Sequence, residues 1–558
     1  MNSQLQNLDP RKMSDPAQLQ EALVLVINLL DQQTSLIEAL RQENQALKDE
    51  INRLKGEHGT PNFPASSKKS KQPRPNTGPT KKKSGRGKNN KMGSSKKGKL
   101  KIHRTQEVFP DRSTLPTDAV LKGYKNYIQQ DVRFEACNTL YRVAIYHSVS
   151  QGKTYRGPMP ADFRGQFGPG IVSMIQLLHH FGDMTQGRLE ALFESMGVII
   201  SSGTISEIIT QQGEWALAEQ SDILRAGIEH CPYAQIDGTK SVERGKKMVT
   251  QIIGSADFSV FMTLGAKSRL EVLRAIQGKP SEGLRVCWND HSSDILGALQ
   301  LARCHQDFLS TALAKGESIL LTELEALLDD SPLAGRPGLR RIIAQGLALS
   351  YYLKQTDFPI IDWLLSDDAG EYTRIARKGH ALCWIHDARY YRKLIPRLAI
   401  HQQIHHRILK DYWAFYDQLR SFRLETPQKQ QQLKPDLEQR FEEIFNQTTD
   451  YFQINACLAR TYANKEKLLA VLDNPALPLH NNAAERGARR VVRKRDISLH
   501  TWSTKGTQIR DAYMSVVETA AKLGVNAMSY IQDRLSSQPQ MTSLADIIAS
   551  RYKTGSIH

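Results

Sequence analysis

The chain has 558 residues, 40% hydrophobic and 24% charged, so it can fill ordinary globular cores and is too long for one small domain; its length suggests about three or four units. Six scattered Cys with no CxxC pair exclude a disulfide framework and fit a reducing intracellular compartment. The 75 Lys and Arg exceed the 58 Asp and Glu by 17, which points to a polyanion partner. That surplus is local: residues 58–106 hold fifteen Lys or Arg and no acid, leaving 60 basic against 58 acidic residues, or +2, elsewhere.

Residues 1–14 read as a polar N-terminal tail without a secretory apolar core. Over 15–56 a heptad runs unbroken. With Leu23 at position a, the a series continues through Leu30, Ile37, Asn44 and Ile51, and the d series is Val26, Gln33, Leu40, Leu47 and Leu54. This spacing predicts a dimerising coiled coil. Asn44 at a core position favours a parallel, in-register homodimer, because a buried Asn needs another Asn opposite. The apolar run Leu23 to Leu30 falls well short of the roughly 20 residues that span a bilayer. Residues 57–109 read as a disordered basic linker, too poor in apolar side chains to offset the entropy of ordering, and suited to non-specific phosphate contact.

Residues 110–230 are predicted to be mainly helical after a short hairpin around Phe134–Tyr155. Thr185–Thr210 reads as helix, Gly197 turn, helix, with Ser202 or Thr204 as a cap for the second helix. This is the layout of a helix-turn-helix, or equally of a structural hairpin. From 231 to 525 strand patterns alternate with helices, which implies an α/β catalytic domain with helical insertions at about 293–355 and 387–478. Residues 526–558 read as a helical tail.

Two predicted strands end in acids, at Asp237 and Asp367, and strand ends of α/β sheets are common site positions. Glu485 opens a basic helix. Three carboxylates on separate elements can hold two Mg²⁺ for phosphodiester displacement. Each acid also has a local explanation: Asp237 and Asp367 as turn residues, Glu485 as the partner of Asn482 in a capping box. Arg486, Arg489, Arg490, Arg493 and Lys494 follow Glu485 as a cationic row suited to a DNA backbone.

Four stretches carry a family resemblance: Ile236-Asp237-Gly238-Thr239, Leu365-Ser366-Asp367-Asp368-Ala369-Gly370-Glu371-Tyr372, Cys383-Trp384-Ile385-His386-Asp387-Ala388-Arg389, and the segment from Pro478 through Asn482 to Glu485-Arg486. Over about 110–525 the chain resembles the transposases of the insertion-sequence-66 family. The resemblance implies an α/β RNase H-like core with helical insertions, an N-terminal coiled coil, and Asp237, Asp367 and Glu485 as a metal-binding DDE triad. Motif register selects Asp367 over Asp368. The implied cofactor is a pair of Mg²⁺ ions, with Mn²⁺ as a substitute. Zinc is not expected, because Cys383 and His386 lack a second Cys/His pair; with Asn482 they read as residues that pack and orient the acids without ligating metal.

The expected function is a bacterial, nucleoid-associated cytoplasmic DNA transposase. Its partners would be the terminal inverted repeats, target DNA, a second copy of itself in a homodimer or larger synaptic complex, and accessory proteins of the element. The competing readings are a non-catalytic DNA-binding repressor or scaffold, and an RNase H-like nuclease without strand transfer. Deleting 58–106 should lower DNA affinity and flatten its dependence on salt concentration. An unchanged salt slope in a binding titration would reduce that segment to a spacer.

Overall fold

The computed structural model describes residues 16–54, 105–110, 124–127, 135–160, 163, 165–211, 213–277 and 283–553. The tail 1–14 and the basic linker, apart from 105–109, lie outside the described residues. Contacts divide the chain into Met1–Leu40 with Glu135–His558, and Arg41–Phe134. In the smaller unit Tyr124 Oη donates to Glu107 at 3.3 Å.

The heptad segment is one helix, α1 (Pro16–Leu54). Its polar face docks on its own chain. Asn28 donates to Asp450 O (2.6 Å) and accepts from Phe452 N (2.8 Å). Asp31 is 1% exposed; it accepts from the backbone N–H of Arg397 (2.7 Å) and Leu398 (3.2 Å) and meets His401 Nδ1 at 2.9 Å. Glu38 pairs with Arg397. The a/d side chains Leu23, Val26, Leu30 and Ile37 point outward and are exposed, as are Leu40, Asn44 and Leu47; the side chains of Ile51 and Leu54 lie outside the described ones. By length and composition alone Leu19–Asn44 is long and apolar enough to cross a membrane, contrary to the expectation from the short Leu23–Leu30 run. The buried Asn28 and Asp31 explain this helix instead as protein-facing on one side.

A hairpin, β1 (Ile145–Ser148) and β2 (Lys153–Arg156), precedes α2 (Pro169–His180), α3 (Gln186–Ser195), α4 (Ser202–Gln211) and α5 (Glu214–His230). Gly197 makes the α3–α4 turn at φ +76°, a conformation glycine adopts without strain. The α4 start is capped by Ser201 Oγ, which accepts from Thr204 N at 3.2 Å, not by the predicted Ser202 or Thr204.

The sheet follows as β3 (Ala234–Glu243), β4 (Lys246–Gly254) and β5 (Ser259–Leu264), all antiparallel, then α6 (Arg269–Gln277). A first insertion holds a small ladder of β6 (Arg285–Cys287) and β7 (Ser318–Leu320), with α7 (Ser292–Ala298), α8 (Arg303–Ala312), α9 (Leu321–Asp329) and α10 (Pro337–Lys354). The chain re-enters the sheet through β8 (Trp363–Ser366) and β9 (Gly379–Leu382), both parallel to their neighbours. The order is β5-β4-β3-β8-β9. A second insertion comprises α11 (Trp384–Arg392), α12 (Ala399–Phe422), α13 (Pro427–Phe445), α14 (Phe452–Ala463) and α15 (Lys465–Leu468), with its own aromatic core around Trp384. Then come α16 (Asn482–Ser498), α17 (Thr504–Leu523), α18 (Ala527–Arg534) and α19 (Leu544–Lys553).

Three expectations need correction. The helices before residue 231 are not a separate domain: Ile175, Phe193, Ile205 and Ile223 share one hydrophobic core with the sheet. The segment after 526 is no tail, since Tyr530, Leu544 and Ile548 are fully buried in that core. From sequence alone, His401, His405 and His406 suggest a polar helix surface. Only His406 is exposed; His401 is buried and stacked on Tyr451 at 4.4 Å, and His405 Nε2 reaches Tyr391 O at 2.9 Å.

Asp31→Ala would leave two buried N–H groups and His401 without their acceptor, on the order of 3–5 kcal/mol for a broken buried pair. In hydrogen-exchange mass spectrometry, amides of residues 16–40 should exchange much faster in the variant while β3–β5 stay protected. Equal exchange would show that α1 is held by other contacts.

Candidate active site

Asp237 lies inside the ten-residue β3, not at a strand end as predicted. Its position comes from register. Ala234 and Gln235 of β3 pair in parallel with Leu364 and Leu365 of β8. Continuing that register sets Asp237 level with Asp367, just beyond the end of β8, on chains about 4.8 Å apart. Asp237 Oδ1 accepts from Gly238 N at 2.8 Å, and Asp367 Oδ1 from Ala369 N at 3.2 Å. Gly238 permits close packing here, since a Cβ would stand 3.1 Å from both Tyr372 Oη and Gln251 Oε1.

Asp368 is engaged elsewhere. It pairs with Arg460 (2.8 Å) and Lys467 (3.9 Å), and Arg460 also holds the buried Asp387 at 3.1 Å. These bonds tie the loop after β8 to the second insertion and support Asp367 as the site acid.

Glu485 arrives on α16, whose packing against the sheet is unusually close. A Cβ on Gly487 would sit 2.8 Å from Ile252 Cγ2 on β4. Ala484, Gly487, Val491 and Lys494, spaced three, four and three apart, form the buried stripe. The helix start is capped across the fold. Gln235 Oε1, from β3, accepts from Ala483 N (3.1 Å) and Ala484 N (3.4 Å). Asn481 Nδ2 donates to Ile236 O (2.8 Å), and Asn481 N donates to Cys383 Sγ (3.3 Å). The capping box expected from Asn482 and Glu485 does not form: Asn482 is exposed, and the anchoring residue is its neighbour Asn481, 1% exposed. Gln235 carried no local signal, because its partners are 248 and 249 residues away.

Glu485 Oε1 faces His386 Nδ1 at 3.6 Å and Arg389 at 3.4 Å, and Oε2 faces Arg489 at 3.4 Å. His386 Nδ1 is buried with no hydrogen-bond partner among the described residues. Burial, then the neighbouring Arg389, hold its pKa below the usual histidine value. Ligand atoms of Cys383, His386 and Glu485 lie within 4.8 Å of one another, so the acid, and not a second Cys/His pair, stands as a third potential ligand beside them.

Electrostatics mark Asp237. Burial pushes its carboxyl up to about 6; the Gly238 N–H opposes, and the negative charges of Asp367 and Glu485 add to the rise. The nearest cation, Lys267, is engaged by Glu371 at 3.1 Å. Half-buried Asp237 and Asp367, with hard oxygen donors and no ion pair of their own among the described residues, fit divalent metal beside the arginine-paired Glu485.

The arginine row divides. Arg486, Arg489 and Arg493 are exposed. Arg490 is half-buried, bound to Glu518 and lying over the Phe181 ring at 4.3 Å. Lys494 is 4% exposed and donates to His179 O, so it belongs to the packed stripe, not to the exposed row. Its spacing from Ala484, Gly487 and Val491 was the available sign.

Without metal, the raised Asp237 pKa means that the native state favours the protonated acid. Stability is then fully present below about pH 4 and is lost as pH rises through about 6. In chelator, Asp237→Asn should exceed wild type by on the order of 2–3 kcal/mol at pH 7.5, with no gain at pH 3.5. Urea titrations at the two pH values measure this; a pH-independent difference would refute it.

Residues 353–509 match the model of the Transposase IS66 family. That span includes Asp367, Cys383, His386 and Glu485. Over 345 residues the chain is 28% identical to an uncharacterized protein, y4jO, of Sinorhizobium fredii, covering 59% of this chain and 100% of that one. No solved structure matches. By these findings residues 353–509 are similar to the Transposase IS66 family domain.

Proposed function

We propose that the chain is a DNA transposase of a bacterial insertion sequence, cutting element ends and joining the freed 3′-hydroxyl to target DNA, with Asp237, Asp367 and Glu485 as its DDE acids. What supports this reading is that Asp367 and Glu485, from distant segments, both lie close enough to Asp237 to add to the rise of its carboxyl, Asp367 level with it just past β8 and Glu485 on a helix locked to the sheet. The acid-bearing chains run through the middle of the five-stranded sheet, which supports an RNase H-like core.

Asp237, Asp367 and Glu485 would hold two Mg²⁺ or Mn²⁺ ions. Bound there, such ions activate an attacking oxygen and stabilise a leaving oxygen. The chain's own groups position the acids. Arg389 and Arg489 hold the Glu485 carboxylate, and the His386 ring lies beside it. Arg486, Arg489 and Arg493 offer the phosphate backbone an exposed cationic row beginning next to Glu485. Of the two readings of the α3–α4 hairpin, helix-turn-helix and structural hairpin, the surface of α4 favours the second: its exposed residues are Gly203, Glu207 and Gln211, none of them basic, so it offers phosphate no cation.

The exposed a/d stripe of α1 supports a second copy of the chain as partner, since the opposite face is already engaged. Two protomers joined this way would hold two element ends, and this reading places the protein at the bacterial nucleoid.

The test uses linear DNA carrying the terminal repeats, with Mg²⁺. Asp237→Asn, Asp367→Asn and Glu485→Gln should each lower cleavage and joining by at least roughly a hundredfold, the scale for removing a charge-stabilising group. Asp368→Asn should stay within a few-fold. Joining retained in Asp237→Asn would overturn the reading. Cleavage without joining in wild type would favour the nuclease, and DNA binding without either reaction the scaffold.

A further inference from the structure

At the far end of α16 from Glu485 lies a cavity of about 500 Å³ that the acids do not use. It is bounded by the end of α2, the last turn of α16 with the loop after it, and the start of α17. No carboxylate lines it.

Its polar groups are unusual. His180 is 3% exposed and stacks on Tyr513, with ring centroids 5.0 Å apart and planes 4° from parallel. Neither ring nitrogen of His180 has a hydrogen-bond partner among the described residues, and neither does the buried Ser498 Oγ. Leaving such a buried group unsatisfied is destabilising. Burial, with His179 and Lys494 adding to it, keeps His180 neutral, so its ring offers one donor and one acceptor. Beside it stands the buried Lys494, lowered by burial to about 8 and so still mainly cationic at pH 7. Arg495 also faces the cavity while donating to Lys240 O at 2.8 Å.

The mouth is strained. Leu499 has φ +60° and ψ −66°, and His500 N donates to Ser498 O at 2.7 Å. This is a γ-turn of the rare positive-φ kind, a strained backbone conformation. Pairing of Thr501 with Val242 and Arg244 holds it in place. The result is Trp502, 76% exposed at the cavity edge, with the His500 ring 4.5 Å from its own.

A flat ring to stack, an edge that both donates and accepts, and an anion for the lysine describe a nucleotide. The distance fits as well. Lys494 and Ser498 lie nine and thirteen residues beyond Glu485 on one helix, or about 14–20 Å at 1.5 Å per residue. That is about four to six nucleotides at 3.4 Å, with Arg486, Arg489 and Arg493 along the way. We propose that this cavity receives one unstacked nucleotide of the DNA strand bound along α16, its base against Trp502 and its edge on His180 and Ser498. The proposal rests on the transposase reading for the identity of that strand, but not on the metal acids. Extruding a base takes a few kcal/mol, which pairing the two orphaned side chains would help offset.

The test uses the full chain in chelator, so that DDE chemistry plays no part. The probes are the four deoxynucleoside monophosphates and deoxyribose 5-phosphate by calorimetry, and a single-stranded 12-mer with a central 2-aminopurine by fluorescence. Nucleotides should bind more tightly than the sugar phosphate, and Trp502→Ala or Ser498→Ala should weaken them about tenfold or more. The oligonucleotide should bind more tightly than any monophosphate, with a 2-aminopurine signal that Trp502→Ala abolishes and Asp237→Asn keeps. Sugar phosphate binding as well as nucleotides, or indifference to both substitutions, overturns the proposal. Monophosphates outbinding the oligonucleotide would make this a free-nucleotide site and overturn the strand assignment. Because Asp237→Asn enters as a control, failure of the cavity and failure of the acid triad are read separately.

Discussion

The seating of α16 against β3 and β4 is the constraint on which the rest of the site depends. Neither strand carries Glu485, and helix α16 has no side-chain cap of its own. Gln235 and Asn481 close the gap by exchanging hydrogen bonds between the helix start and β3, immediately before Asp237. The same few residues therefore cap the helix and fix the distance between Asp237 and Glu485. Gly487 one turn later removes the Cβ that would hold the helix off the sheet, and the buried Ala484 and Val491 fill the seam. A burial of that kind contributes roughly 1.5–3 kcal/mol for the valine, enough to hold a helix whose outer face is a run of like charges.

Against that packing stands the site's own repulsion. Three carboxylates gather where burial has already raised Asp237. The native fold is thus held together around an arrangement that favours neutralisation, by proton at low pH or by cation above it. The neighbouring Asp368 shows the contrast: its charge is matched by Arg460 and Lys467, and it serves to pin the second insertion instead. Adjacent acids in one motif so take opposite roles, one left short of partners and one paired.

Much of this was legible in the sequence where the signal was local. The heptad of α1, the acid-bearing strand segments, and the motif around Cys383 and His386 all show in short windows, and register alone favoured Asp367. What stayed hidden was long-range. Asp31 meets His401 across 370 residues, and Gln235 reaches α16 across 248; no window contains both partners. The heptad reading accounted for the apolar seam of α1 but not for its second, polar interface. The helices before residue 231 and after 526 looked like separate modules because local pattern cannot show that they share the sheet's core. Lys494 was misplaced for a different reason, since counting cations along α16 overlooked the periodic stripe that buries it.

The central claim is that Asp237, Asp367 and Glu485 form one metal-binding set. Manganese-edge anomalous diffraction from crystals of the full chain soaked in Mn²⁺ tests it most directly. The account expects anomalous peaks bounded by those three carboxylates, with Asp368 still on Arg460. Manganese bound elsewhere, with Glu485 remaining on His386, Arg389 and Arg489, would contradict it.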